Sequence, residues 1–93
     1  NIKKLREYIW WAETKIIQYQ PSNDFFLGEH QGIGYYAFID EEEIKSLTYK
    51  TLSSINKKHS AYVIYAESCS LSEEFLVKNH ITFKKIPDQL PKV

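Results

Sequence analysis

The stretch that decides the fold is "YVIYAESCSLSEEFLVKNHITFKKIP", which runs from Tyr62 to Pro87. It holds an apolar run, a polar turn, a helical pattern and a second short apolar run, in that order. The connection between the two runs is too long for a hairpin and suits a crossover between parallel strands. Because ligand sites of open α/β sheets lie at the carboxyl ends of such strands, the segment could carry an active site or belong to a larger protein that does.

The two apolar runs predict a parallel pair of strands. Ala61–Ala66 is apolar without alternation, which is typical of a central strand buried on both faces. A helix is predicted over Ser72–Asn79, with its first serine as N-cap, and a last strand over Ile81–Ile86. We therefore expect the two strands to be parallel, with Val63 or Ile64 almost fully buried.

Upstream of this segment, the pattern adds a helix and a hairpin. Apolar residues at 3–4–3 spacing predict a helix over residues 1–15. Phe25–Leu27 and Ile33–Ile39 read as antiparallel strands joined by the turn "EHQG", in which Gly32 can adopt a positive φ. Gly34 within the second strand indicates a bulge or a close backbone approach.

The middle of the chain is predicted to be helical in part. Asp40 and Glu43 have capping-box spacing, a break is expected near Ser46, and a helix is expected from about Thr48 to Lys57. A single helix beginning at Glu41 is the alternative. The predicted order is α–β–β–α–β–α–β, which describes one α/β domain over residues 1–93 with a small mixed sheet of about four strands.

Composition narrows the classes of function. The 93 residues suffice for one small domain, and 43% hydrophobic residues are too many for a disordered chain. Twelve basic and twelve acidic residues cancel, which argues against a general electrostatic drive towards nucleic acid but leaves a local phosphate contact open. The single cysteine, Cys69, fits a reducing compartment, and we expect a cytoplasmic protein with no membrane span. The chain begins at Asn1 and contains no methionine, so we expect a piece excised from a larger protein.

The turn after the first apolar run is the strongest candidate for chemistry, and it is weak. Glu67, Ser68 and Cys69 lie there, but a thiol nucleophile needs a base. The histidines do not suit that role: two are expected at the opposite end of the sheet, and the third lies in the hairpin turn. No metal-ligand or glycine-rich phosphate motif is present. We therefore predict no catalytic, metal or cofactor-binding residue in this chain.

Aromatic residues suggest a protein interface instead. Trp10 and Trp11 are adjacent and lie about 100° apart on a helix, so one apolar stripe cannot easily bury both. The side chain that is left outside the core could contact a partner. Alternation along the hairpin places one member of each aromatic pair outwards, which adds Phe25 and Tyr36 to the interface candidates.

Two lysine pairs are the candidates for contact with DNA. They are Lys57 with Lys58 and Lys84 with Lys85. Charge pairs of this kind more often lie on a solvated face, although lysine can bind phosphate as a point charge.

Three segments carry a resemblance to a known family: "NIKKLREYIWWAETK", "YYAFIDEEEIKSLTYKTLSSI" and "AYVIYAESCSLSEEFLVKNHITFKKIP". Together they resemble the C-terminal region of DNA adenine-N6 methyltransferases, above all the modification (Mod) subunit of type III restriction–modification systems. The family often has Arg-Asp-Ile after the last strand, whereas Asp88-Gln89 follows Pro87 here.

The resemblance implies a parent enzyme that uses S-adenosylmethionine to methylate adenine N6 in DNA. Its Asp-Pro-Pro-Tyr type motif and its glycine-rich cofactor motif are both missing from this chain. The resemblance therefore implies a non-catalytic C-terminal domain with no cofactor of its own. Its expected roles are Mod dimerisation, docking of the restriction subunit, or positioning of DNA, and the sequence does not choose among them.

Overall fold

A computed structural model describes residues 2–20, 22, 24–40 and 42–90 of the chain. The elements follow the predicted order, with these bounds: α1 Ile2–Thr14, β1 Phe26–His30, β2 Ile33–Ala37, α2 Tyr49–Leu52, β3 Ala61–Ala66, α3 Glu73–Lys78 and β4 Ile81–Lys85. No helix in these described ranges is long and apolar enough to cross a membrane.

The four strands form one sheet in the order β1-β2-β3-β4. β1 and β2 are antiparallel, whereas β2 and β3, and β3 and β4, are parallel. This confirms the mixed sheet and the parallel pair that the sequence predicted. Ile64 in the interior strand β3 is 0% exposed, while Val63 on the other face is half-buried.

Each face of the sheet has its own hydrophobic core. The core under α1 is built from these buried residues: Ile9, Trp10, Leu27, Tyr35, Ala37, Ile39, Tyr65 and Ile86. The core on the face of α2 and α3 is built from these: Tyr36, Phe38, Leu47, Ile64, Ala66, Leu71 and Ile81. Alternation along β2 and β3 sends successive side chains to opposite faces, so the sheet separates the two cores.

The hairpin is tighter than the sequence suggested. Gln31 and Gly32 both adopt positive φ values, 53° and 82°, as a two-residue type I′ turn requires. The expected positive φ at Gly32 is confirmed. The expected end of the first strand at Leu27 was wrong, because so short a turn lets pairing continue to His30.

The second helix is much shorter than predicted. Thr48 is its N-cap, as expected, and forms a capping box with Thr51. The predicted end at Lys57 was wrong. The helix stops after one turn, where the Ser53 and Ser54 hydroxyls donate to the carbonyls three residues earlier. Such bonds compete with helix propagation.

Asp40 forms a cap-like turn without a helix. Its carboxylate accepts hydrogen bonds from the backbone N–H groups of Glu42 and Glu43, at 2.9 and 2.8 Å. These bonds lower the pKa of Asp40 below its ordinary value. Glu41 lies outside the described residues, but residues 42–47 are not helical, so the alternative of a helix running on from that position was wrong.

Candidate interaction surfaces

The buried side of α1 carries two charged residues that attach it to the sheet. Arg6 and Glu13 fall at helical spacing from the buried Ile9. The Arg6 guanidinium is itself buried, and it donates to the Tyr19 hydroxyl at 3.2 Å and to the carbonyls of Asp24 and Phe26 at 2.7 and 3.2 Å. A buried charge is tolerated only when it is well hydrogen-bonded, so this position fixes where the chain enters β1.

Arg6 also covers an outer edge of the sheet. The Phe25 carbonyl accepts from the N–H of Ala37, so the backbone of Phe25 faces β2. The carbonyls of its neighbours, Asp24 and Phe26, therefore point away from the sheet. Because Arg6 binds both, these outward carbonyls are not available to another strand.

Glu13 forms the second attachment. Its Oε2 accepts from the Tyr65 hydroxyl at 2.5 Å and from Lys84 Nζ at 2.6 Å. Burial, followed by the hydrogen bond to Glu13, raises the pKa of the Tyr65 phenol. Tyr65 therefore stays protonated and acts as a donor, and α1 is held across β3 and β4.

The two adjacent tryptophans have different roles. Trp10 is buried, packs edge-to-face on Tyr35 at 5.7 Å, and donates from Nε1 to the Gln18 carbonyl at 2.8 Å. It is a core residue, so its expected availability to a partner is corrected here. Trp11 is 43% exposed and remains an interface candidate.

Trp11 belongs to an apolar patch on the solvent side of α1. Ile17, just beyond the helix, is 82% exposed. Lys4, Glu7, Tyr8, Trp11 and Ile17 together line a shallow depression of about 400 Å³, which we call the α1 outer surface. Lys15 Nζ lies 4.7 Å from the Trp11 ring centre, so the indole keeps one cationic neighbour within the domain.

The hairpin aromatics lie on the opposite face of the sheet. Phe25 is half-buried and packs on Phe38 at 5.1 Å. Tyr36 is buried, which corrects its expected exposure to a partner. These rings form the floor of a small open cleft of about 140 Å³, with Asp24 and Lys57 at its rim.

A buried histidine joins the hairpin to the segment before β3. The His59 side chain is 2% exposed, its Nδ1 contacts the Glu29 carboxylate, and its Nε2 lies 2.7 Å from the Tyr36 hydroxyl. Phe26 stacks on the ring at 5.7 Å, and Tyr62 packs edge-on at 5.1 Å.

The histidine cluster connects neighbouring segments of the fold. Burial, followed by the electrostatic effect of Tyr62, raises the pKa of the Tyr36 phenol, so its hydroxyl stays protonated. Hydrogen bonds run from Glu29 through both ring nitrogens of His59 to the Tyr36 hydroxyl. The cluster therefore holds β1, β2 and the segment before β3 together.

In the turn after β3, Ser68 and Cys69 are bonded to other residues of the domain. Cys69 is half-buried, and its Sγ lies 3.7 Å from the Leu71 carbonyl. The backbone of Ser68 is engaged by Leu47, and its hydroxyl by Ser46. Within the ranges that the structure describes, no three His, Cys, Asp or Glu side chains come close enough together to hold a metal ion.

The four lysines proposed for DNA contact do not form one patch. Lys84 pairs with Glu13 on the α1 face, and Lys85 Nζ donates to the Glu67 carbonyl at 2.6 Å. Lys57 and Lys58 are exposed, and Lys57 Nζ lies 5.2 Å from the Phe26 ring on the other face. Of these four lysines, Lys57 and Lys58 are the two that are exposed enough to contact phosphate.

Two of the residues that organise these surfaces were missed from the sequence. Arg6 and Glu13 stand within the apolar stripe of α1, and a charge at such a position is a signal of a buried polar contact. At Gly34 the sequence indicated a bulge or a close backbone approach, whereas the group that approaches it is the side chain of His59.

Comparison of the chain with models of protein families, with curated proteins and with solved structures gave no match.

Proposed function

We propose that this chain is the non-catalytic C-terminal domain of a type III restriction–modification Mod subunit, and that it docks another subunit through the α1 outer surface. The observation that carries the proposal is the exposure of Trp11 and Ile17 side by side on one patch. Tryptophan is enriched among the residues that dominate binding energy at interfaces. The family assignment itself rests on the resemblance of the sequence.

The rim of this surface suits a selective contact. Lys4 and Glu7 border the apolar centre, so the patch combines an aromatic anchor with charges of both signs. Interfaces commonly have an apolar centre and a polar rim, in which the charges contribute more to selectivity than to affinity. Either a Mod partner or the restriction subunit would contact the same aromatic anchor and the same two charged residues on this surface.

A DNA-contact role is the alternative, and the exposure of Lys57 and Lys58 favours it. The neutral net charge limits its strength, because affinity for duplex DNA grows with the number of phosphates neutralised. Two lysines predict weak binding with a salt slope of about 2, at roughly 0.9 per phosphate contact.

The experiment compares binding by the intact 93-residue chain with that of surface variants. Sedimentation velocity would measure its association with the restriction subunit and with a Mod subunit that lacks this region. Trp11→Ala should weaken binding roughly thirtyfold, the loss of a hot spot of about 2 kcal/mol. Val77→Ala is the matched control, since Val77 is 75% exposed but lies on α3.

Two outcomes would reject the docking proposal. One is the absence of any complex with either subunit. The other is a complex that Trp11→Ala leaves as tight as the control variant does. If the chain instead binds duplex DNA at low salt, and Lys57→Ala with Lys58→Ala abolishes that binding, the alternative function is supported.

A further inference from the structure

The two edge strands of the sheet differ in how their outward backbone groups are bonded. β1 is one edge, and Arg6 binds the outward carbonyls of Phe26, in β1, and of Asp24, just before it. β4, Ile81–Lys85, is the other edge. An edge strand with unpaired backbone groups is a template for a further strand, and proteins usually block it with charges, bulges or covering segments.

The backbone direction of β4 follows from its bonds to β3. Tyr62 N–H donates to the His80 carbonyl, and Ile86 N–H donates to the Ala66 carbonyl, both at 2.8 Å. Backbone groups alternate in direction along a strand, so the N–H and C=O groups of the even-numbered residues of β4 point towards β3. The backbone groups of Ile81, Phe83 and Lys85 therefore point outwards. The N–H of Lys85 is taken by Gln89 Oε1 at 2.8 Å.

The outward backbone groups of Ile81 and Phe83 have no such cover in the part of the chain that the structure describes. Within the described residues, no hydrogen bond to the backbone of either residue comes from the outer side. The two lysines of β4 bond within the domain: Lys84 donates to the Glu13 carboxylate, and Lys85 donates to the Glu67 carbonyl. β4 therefore has unpaired outward backbone groups, whereas its two lysine side chains bond to groups within the domain.

We propose that β4 accepts an extended strand of a partner protein, with apolar side chains beside Phe83 and an acidic residue near Lys85. Phe83 is half-buried among the core residues of the α3 face, so an apolar neighbour would extend that core. The Lys85 ammonium contacts a carbonyl but, within the described residues, no carboxylate. A partner carboxylate would therefore complement it.

A second copy of this chain fits the edge less well. The β4 sequence "ITFKK" has two lysines and no acidic residue. Antiparallel pairing of two copies would bring two Lys85 ammonium groups to one seam with no β4 carboxylate to meet them, and like charges there oppose association. Strand addition takes its affinity from main-chain bonds and its selectivity from side chains, so an apolar and acidic strand is the occupant that the chemistry favours.

Amide hydrogen exchange of the intact chain tests the geometry, and a peptide tests the occupant. In the free chain, Ile81 and Phe83 amides should exchange faster than those of Thr82 and Lys84. The peptide is acetyl-Glu-Val-Thr-Val-Thr-Glu-amide, added up to millimolar concentration. It should slow exchange at Ile81 and Phe83 and bind roughly tenfold more tightly than its lysine-for-glutamate analogue, the effect of one charge-assisted hydrogen bond.

Two variants at one position separate the backbone from the side chain. Phe83→Pro removes an outward N–H without removing a bond to β3, and should abolish peptide binding. Phe83→Ala is the matched control, because it loses the same ring and keeps the N–H. Should the proline variant fail to fold, Lys85→Glu provides the test instead, and should reverse the preference between the two peptides.

Several results would overturn the proposal. They are equal protection of all four amides in the free chain, equal binding of the two peptides, and no change at Ile81 and Phe83 on adding peptide. Protection that rises with the concentration of the chain alone would show self-pairing and would also overturn it. None of these results bears on the α1 outer surface, which lies on another element.

Discussion

Adding a single methyl group at Gly34 should disrupt the contact between the hairpin and the segment before β3. A Cβ at this position would lie 2.1 Å from Cδ2 of His59 and 2.3 Å from its Nε2. Both distances are far below van der Waals contact, so in Gly34→Ala the ring must move. The backbone of Gly34 has no positive φ, so the substitution tests packing and not backbone strain.

The expected loss of folding free energy follows from the contacts that the His59 ring loses. Moving His59 breaks its hydrogen bond to Tyr36 and its contact with Glu29, and separates it from the Phe26 ring. Two hydrogen bonds at about 1 kcal/mol each, with one to the charged Glu29 contributing more, give about 2–3 kcal/mol. Replacing glycine by alanine also stiffens the unfolded chain and returns about 0.4–1 kcal/mol. The net destabilisation should be about 2 kcal/mol.

A double-mutant cycle in urea is the assay. His59→Ala removes the clashing ring, so Gly34→Ala should cost little in that background, with a coupling of about 1–3 kcal/mol. Glu13→Gln paired with His59→Ala is the control: Glu13 lies on the opposite face, and the two effects should add to within about 0.5 kcal/mol. If Gly34→Ala costs the same with and without His59, the close approach is not what requires glycine here.

Further changes probe the core, the β1 edge and the acid response. Ile64→Ala should destabilise by about 2–5 kcal/mol in denaturant melts, as expected for a cavity in an interior strand; a loss below about 1 kcal/mol would contradict its full burial. Arg6→Leu should cost roughly 1–3 kcal/mol by leaving two carbonyls unpaired, and its melts should be compared with those of Lys3→Leu, an exposed position on the same helix. The Ser22 hydroxyl holds the pKa of Asp24 below its ordinary value. Asp24 therefore stabilises the fold above about pH 4, and that stability is lost as the pH falls through its folded pKa. Asp24→Asn should flatten this acid limb in pH-dependent melts, and an unchanged limb would mean that the carboxylate does not contribute.

The sequence predicts most reliably what is determined locally. The β3–α3–β4 unit was predicted from two apolar runs and a capped helical pattern, because crossover topology follows from run length and connection length. α2 was overpredicted because a local competitor decided its length: the Ser53 and Ser54 hydroxyls bind the carbonyls that a longer helix would need.

Contacts between distant residues could not be predicted in the same way. Glu13 and Lys84 are 71 positions apart, and Glu29 and His59 are 30 apart. Their pairing depends on which strand lies beside which, and no local pattern encodes that. The same reason explains why one tryptophan was expected outside the core but the sequence could not say which.

Fluorescence of Trp11 in a Trp10→Phe background tests the proposed docking most directly. The substitution keeps an aromatic ring in the core and leaves Trp11 as the only indole, and that indole is 43% exposed in the isolated domain. If the α1 outer surface docks a subunit of the parent system, adding that subunit should shift the emission to shorter wavelength and reduce quenching by acrylamide. A complex that forms while emission and quenching stay unchanged would contradict the account, because the partner would then be bound elsewhere.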